Sequence, residues 1–196
     1  MTSREKILAA VNQNQPELLP LPDLNLFNHA IEEDLVEQFT KVLEGIGGQV
    51  ILVKNEQQIF DILQTKFDFS ASKVVSPLSV FAHISSNFTP SNPHELADVD
   101  LVVLPAHFAV AENGACWVTE EIVGERALPF ITQHLSLVVK PKDILATMHQ
   151  AYQKISNNEY GFGVFIAGPS KTADIEQSLV LGAHGSRSLI VFLMGA

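Results

Sequence analysis

Leu189-Ile-Val-Phe-Leu-Met194 is an unbroken run of six apolar residues, and mostly apolar runs recur at Lys73-Val-Val75, Leu101-Val-Val-Leu104, Leu135-Ser-Leu-Val-Val139 and Phe162-Gly-Val-Phe-Ile-Ala167. A strand with one face in water alternates apolar and polar residues. A strand covered on both faces does not, and it is found chiefly in parallel sheets flanked by helices. Helical patterns lie between these runs: Leu35, Phe39, Val42, Leu43 and Ile46 within a helix expected from Asn28 and including Ile31, then Ile59, Phe60 and Leu63 after Asn55, then Ile144, Leu145, Met148, Tyr152 and Ile155. Gly47-Gly48 closes the first, Gln49 to Val53 follows as a strand, and Asn55 with Gln58 has the spacing that opens the second. One segment breaks the βα rhythm. Ala106–Val110 and Ala115–Thr119 flank Glu112-Asn113-Gly114, and Asn-Gly between apolar runs signals a tight hairpin. The expected fold is α/β: a mostly parallel sheet flanked by helices, with an inserted β-hairpin.

At the amino end, Thr2 and Glu5 have capping-box spacing, and three prolines within Gln15-Pro-Glu-Leu-Leu-Pro-Leu-Pro22 forbid continued helix. Residues 1–22 therefore read as a helical arm with a connector, and 23–196 as one α/β domain.

The chain has 196 residues, 12 Lys plus Arg against 22 Asp plus Glu, and a net charge of −10. That field repels nucleic-acid phosphates and anionic lipid, so neither is an expected partner. No targeting signal and no run of roughly 18–20 apolar residues is visible, which leads to the expectation of a cytoplasmic protein. Cys116 is the one cysteine, which excludes a four-cysteine zinc site or a thiolate-held cluster from this chain alone. The seven histidines show no His-x-x-x-His spacing, so no metal site is expected.

Three stretches carry candidate chemistry. In Gly168-Pro-Ser-Lys-Thr-Ala-Asp174 a buried strand is expected to pass into a helix, whose free amides, with Ser170, Lys171 and Thr172, would suit a carboxylate or phosphate. Ser170 and Thr172 are equally explained as helix caps, with Asp174 complementing the dipole. Gly163 and Gly168 imitate part of a phosphate-binding loop, but Pro169-Ser170 separates Gly168 from Lys171, so no nucleotide loop is present. In the second stretch, Gly182 is placed to end that helix, and His184, beside Gly185, is a candidate for proton transfer or a plain surface residue; Arg187 follows. The third is the hairpin. Glu112 is a candidate base or substrate anchor, Asn113 and Gly114 are turn formers that also line its tip, and Arg126 would sit in a short helix facing a ligand or pairing with Glu121 or Glu125.

Phe165-Ile-Ala-Gly-Pro-Ser-Lys-Thr-Ala-Asp-Ile-Glu176 followed by Leu179-Val-Leu-Gly-Ala-His-Gly185 closely resembles the carboxyl-terminal signature of the LUD-domain family, and within it the lactate utilization protein C (LutC/YkgG) branch. Ala109-Val-Ala-Glu-Asn-Gly-Ala115 resembles that family's hairpin, where Ala-Asp/Glu-Thr-Gly-Thr is usual, and Leu128-Pro129 with His134 fits the segment after it. Asn113 and Ala115 replace two hydroxyl residues of that pattern, and Ser186 replaces a proline. The resemblance runs from about Asp100 to the carboxyl end. It implies a fold similar to the NagB/RpiA/CoA transferase group. It also implies a part in oxidising L-lactate to pyruvate, beside partner subunits carrying iron–sulfur clusters, and a homodimer is consistent with it. Two-electron chemistry on lactate needs a cofactor relay, and this chain shows neither a cysteine set nor a dinucleotide fingerprint. The leading expectation is thus a non-redox subunit that binds a small organic anion or docks its partners. Two alternatives stand beside it: an independent enzyme acting on a sugar phosphate or CoA thioester through Glu112 or His184, and a structural or regulatory scaffold.

Overall fold

The computed structural model describes residues 2–20, 22–23, 34–86, 92–156, 159–173, 179–182 and 184–195. Two compact units divide the chain, Met1–Ala30 and Ile31–Ala196. In the first, helix α1 (Ser3–Gln13) starts at a reciprocal cap: Glu5 N–H donates to Thr2 Oγ1 and Thr2 N–H to the Glu5 carboxylate. Ile7, Leu8 and Val11 are exposed along it. The chain from residue 15 to 20 is non-helical, as its prolines require.

The second unit opens with α2 (Leu35–Gly45), capped by Asp34, whose carboxylate accepts from Val36 N–H. The segment from Asn28 to residue 33, expected as part of this helix with Ile31, lies outside the described residues. Next come β1 (Gln49–Val53), α3 (Glu56–Lys66), β2 (Val74–Val75) and β3 (Leu101–Pro105). The hairpin follows as β4 (Phe108–Val110) and β5 (Ala115–Thr119), then short helices α4 (Glu120–Val123) and α5 (Leu128–Ile131). The remaining elements are β6 (His134–Val139), β7 (Ile144–Leu145), α6 (Met148–Ile155), β8 (Gly163–Ile166), β9 (Lys171–Ala173), β10 (Leu179–Leu181) and β11 (Ser188–Met194).

Five strands form one fully parallel sheet in the order β1-β11-β6-β3-β2. Both faces are covered, and residue parity decides which. Leu135, Leu137 and Val139, with Val102, Leu104, Leu189, Val191 and Leu193, pack on Phe39 and Leu43 of α2. Their alternates, Leu101, Val103, Val138, Ile190 and Phe192, pack on Ile59 and Leu63 of α3. This double burial is why the runs show no alternation.

The inserted hairpin has a sheet of its own to complete. It is the middle of a second, four-stranded sheet in the order β7-β4-β5-β8. Ala109, Cys116 and Val118 face the core beneath the parallel sheet, while Phe108, Val110 and Trp117 face Ala151 and Ile155 of α6. The Phe162–Ala167 run joins this sheet. Its strand β8 is antiparallel to β5, with Trp117 opposite Phe165 and Thr119 opposite Gly163, and is not a member of the parallel sheet. Ile144 and Leu145, expected in a helix, form β7 beside β4; the helix waits for Met148, where Thr147 caps it by accepting from Gln150 N–H.

Candidate functional site

No helix begins at Ser170. Gly168 turns the chain at φ +73°, and Lys171–Ala173 then runs as β9, antiparallel to β10, with Thr172 opposite Val180. Among the described residues 168–173 no helix start offers the expected fan of amides. Pro169 has no N–H, and Ser170 N–H donates to the Ser186 carbonyl at 2.9 Å. Ser170 C=O accepts from Gly182 N–H at 3.0 Å, so Gly182, although at φ +75°, leaves a strand and not a helix. Gly185 packs so closely on Ser170 that a Cβ there would lie 3.0 Å from Ser170 Cβ. The structure thus joins Ser170 to Gly182 and to Ser186 by backbone bonds. Lys171 reaches back over the carboxyl end of α2, where its Cε would be 3.8 Å from a Cβ on Gly47. That is the negative end of a helix dipole, which suits an ammonium. His184 and Arg187 are exposed, and Asp174 lies outside the described residues.

The hairpin residues do structural work. Glu112 reaches across to α6, where its carboxylate accepts from Met148 N–H at 2.7 Å, and its own N–H donates to the Ala146 carbonyl. Asn113 Oδ1 accepts from Ala115 N–H in an Asx turn. Gly114, at φ +69°, lies against α2, where a Cβ would meet the Leu43 backbone at 3.1 Å. Gly168 meets the same helix one turn on, at the Ile46 carbonyl. The hairpin tip and the Gly168 corner consequently leave the second sheet at one end. Arg126 is at the other end. It follows α4, which stops at Gly124, and its guanidinium binds Glu120 at 2.7 Å, not Glu121 or Glu125. Arg126 also lies over the Phe162 ring, 5.7 Å from its centroid.

A different set of residues gathers at the carboxyl ends of β1, β11 and β6, the rim where parallel sheets receive ligands. Lys54, Asn55 and Glu56 leave β1, Lys140, Pro141 and Lys142 leave β6, and Met194 and Gly195 leave β11; together they enclose a recess of about 660 Å³. The walls are fixed by local bonds. Asn55 Oδ1 caps α3 through Gln58 N–H, the Gln58 side chain accepts from Lys54 N–H, and Gly195 N–H donates to the Val53 carbonyl. Glu56 accepts from the Ser79 hydroxyl at 3.2 Å. Pro141 starts a single 3-10 turn that sets Lys140 and Lys142 on either side of it. No ion pair among the described residues engages Lys54, Lys140 or Lys142. Three lysines and one glutamate line this recess, so on a chain of net charge −10 its local balance is positive and favours an anion. The sequence carries the signal in Val53-Lys54 and Val139-Lys140-Pro141-Lys142, lysines directly after buried strands.

These features define an α/β protein with a lysine-lined recess at the carboxyl rim of a parallel sheet. A family model described as LUD domain matches residues 90–194, and the chain belongs to that family. It is 29% identical over 98 residues to lactate utilization protein C of Bacillus pumilus (strain SAFR-032), an alignment covering 47% of this chain and 41% of that protein. The chain thus aligns with less than half of this curated relative's length. Its fold is similar to the crystal structure of a DUF162 family protein from Deinococcus radiodurans, with a TM-score of 0.57 and 19% identity over 82% of this chain and 96% of that one. The α/β class with a mostly parallel, helix-flanked sheet is as the apolar runs indicated. No helix among the described residues is long and apolar enough to cross a membrane.

Proposed function

We propose that this chain is a component of a lactate-utilisation system, a subunit that binds a small organic anion while partner proteins carry the electrons. The relationship to a lactate utilization protein C supports the system. The observation that carries the binding role is the convergence of Lys54, Lys140 and Lys142 on one recess. In this reading the lysines hold the carboxylate of L-lactate or pyruvate. In this proposal the Asn55 side-chain amide donates to the neighbouring oxygen, Glu56 accepts from the hydroxyl that only lactate carries, and Met194 and Pro141 lie against the methyl group. The chain itself holds no thiolate set for a cluster, since Cys116 is its only cysteine and is buried. The redox relay, iron–sulfur clusters in this proposal, therefore resides on partners.

Calorimetric titration of the full chain with L-lactate, pyruvate and inorganic phosphate tests the binding role. Lys54→Ala, Lys140→Ala and Lys142→Ala should each weaken carboxylate binding about tenfold, the loss of one charge-assisted contact of roughly 1.4 kcal/mol. Unchanged affinity in all three variants would remove the recess from the function, and preference for phosphate over both carboxylates would remove the lactate assignment.

A further inference from the structure

A second recess, of about 500 Å³, opens at the end of the four-stranded sheet opposite the hairpin tip, where β5 runs into α4. Its charge is the reverse of the lysine recess. Glu120, Glu121 and Glu159 stand around it against one lysine, Lys154. Its wall is aromatic: the Trp117 and Tyr160 rings meet edge to face with centroids 5.4 Å apart, and Phe108 stacks beside Trp117 at 6.4 Å.

Two glycines permit this construction. A Cβ on Gly163 would fall 2.4 Å from the Trp117 ring, and one on Gly161 would fall 2.5 Å from Glu120 Oε1. Any side chain at either position would displace the indole or the carboxylate. Glu120 is held further by Arg126 and by the Gly161 N–H at 2.8 Å. Those bonds keep its carboxyl below the usual carboxylate range, the Arg126 contact contributing most.

The recess already accommodates an ammonium of the protein's own. Lys154 Nζ lies 4.9 Å from the Phe108 ring centroid, the arrangement in which an aromatic face attracts a cation. Tyr160 is 41% exposed and presents another ring at the mouth, near the exposed Glu121 and Glu159. His107 bonds through Nε2 to the Thr119 hydroxyl at 2.8 Å, and burial pushes its imidazole pKa down, so at neutral pH it adds no positive charge.

We propose that this recess is a binding site for a small organic cation, an amine or quaternary ammonium carried on a short apolar body. The carboxylates repel an anion. Arg126 neutralises Glu120, so Glu121 and Glu159 carry the recess's negative charge; a neutral apolar guest would meet the rings but not these two carboxylates, so the combination selects a cation with a greasy surface.

Trp117 is the only tryptophan, so intrinsic fluorescence of the full chain reports directly on this wall. The probes are choline and 3,3-dimethylbutan-1-ol, which share a shape and differ in charge. Choline should produce a saturable fluorescence change and a matching calorimetric isotherm, with the neutral alcohol about tenfold weaker or more. Tyr160→Leu should weaken choline about fivefold, whereas Tyr160→Phe, which keeps the ring, should hold affinity within about twofold. Glu121→Gln and Glu159→Gln should each cost about two- to fivefold, more at low salt. Thermal unfolding of every variant alongside the parent identifies any that are merely misfolded. Equal affinity for the two probes, silence in both fluorescence and calorimetry, or unchanged choline affinity in Tyr160→Leu and both glutamate variants would each overturn the assignment.

Discussion

Replacing Glu112 by alanine separates a structural role for the hairpin from a chemical one. In the structure the Glu112 carboxylate accepts from Met148 N–H at 2.7 Å, the first amide of α6. That amide has no partner within its own helix, and a carboxylate placed there also meets the positive end of the helix dipole. Capping residues of this kind contribute about 1 kcal/mol, and at an exposed position the lower half of the 0.5–2 kcal/mol range applies. Thr147 caps the neighbouring turn independently, through Gln150 N–H, so the helix survives the change. For a chain of this size a loss of about 1 kcal/mol lowers Tm by about 2–4 °C. Glu112→Gln keeps an acceptor and drops the charge, so it should lose about half as much, and its difference from the parent should shrink as salt screens the dipole. Thermal unfolding followed by circular dichroism, at low and high salt, gives both values. The reasoning is refuted if Glu112→Ala unfolds with the parent at low salt, and all the more if that variant also stops binding carboxylates at the lysine recess.

Two further outcomes follow from groups whose charged forms desolvation disfavours. Cys116 is fully buried and its thiol pKa is pushed up to about 12 by that burial, so iodoacetamide at mildly alkaline pH should leave it unmodified in the native protein and modify it fully in denaturant; rapid native labelling would mean that the β5 core opens. His107 and His134 both titrate below the ordinary value of 6.5, each chiefly because burial penalises the charged ring, with Arg187 adding to the effect at His134. The neutral ring is the form that the fold prefers, so on acidification the unfolded chain takes up protons first. The stability due to these two residues is complete above 6.5 and is lost as pH falls through their folded values. Urea midpoints measured across this window should fall with pH, and His134→Gln should flatten the slope; an unchanged slope would remove His134 from the effect.

The parallel sheet was legible because Leu101–Leu104, Leu135–Val139 and Leu189–Met194 are covered by helix α3 on one face and by α2 with the second sheet on the other, a condition that leaves its mark in composition. The hairpin was legible because Asn113-Gly114 encodes its turn locally. Phe162–Ala167 misled for a physical reason: a strand packed inside an antiparallel sheet can be as apolar as one in a parallel sheet, and only Gly163, cleared for the Trp117 ring, hinted at the difference. Ser170 and Thr172 suggested a helix because capping and turn chemistry use the same residues, while the pairing of β9 with β10 is decided beyond the local stretch. For the same reason Glu112 looked reactive; its partner, Met148, is remote in sequence. The lysine recess draws on three strand ends that no periodicity links, so its members were individually visible and collectively hidden.

The position of β11 governs more than the sheet's geometry. Ser188–Met194 lies between β1 and β6, and β1, at the sheet's edge, is bonded to it. Early strands must therefore wait for a late one, and the walls bearing Lys54 and Lys140 acquire their spacing only when this keystone slots between them. Ligand affinity should accordingly arrive all at once with completion of the fold, and a chain clipped before Ser188 would be inert, never half-active.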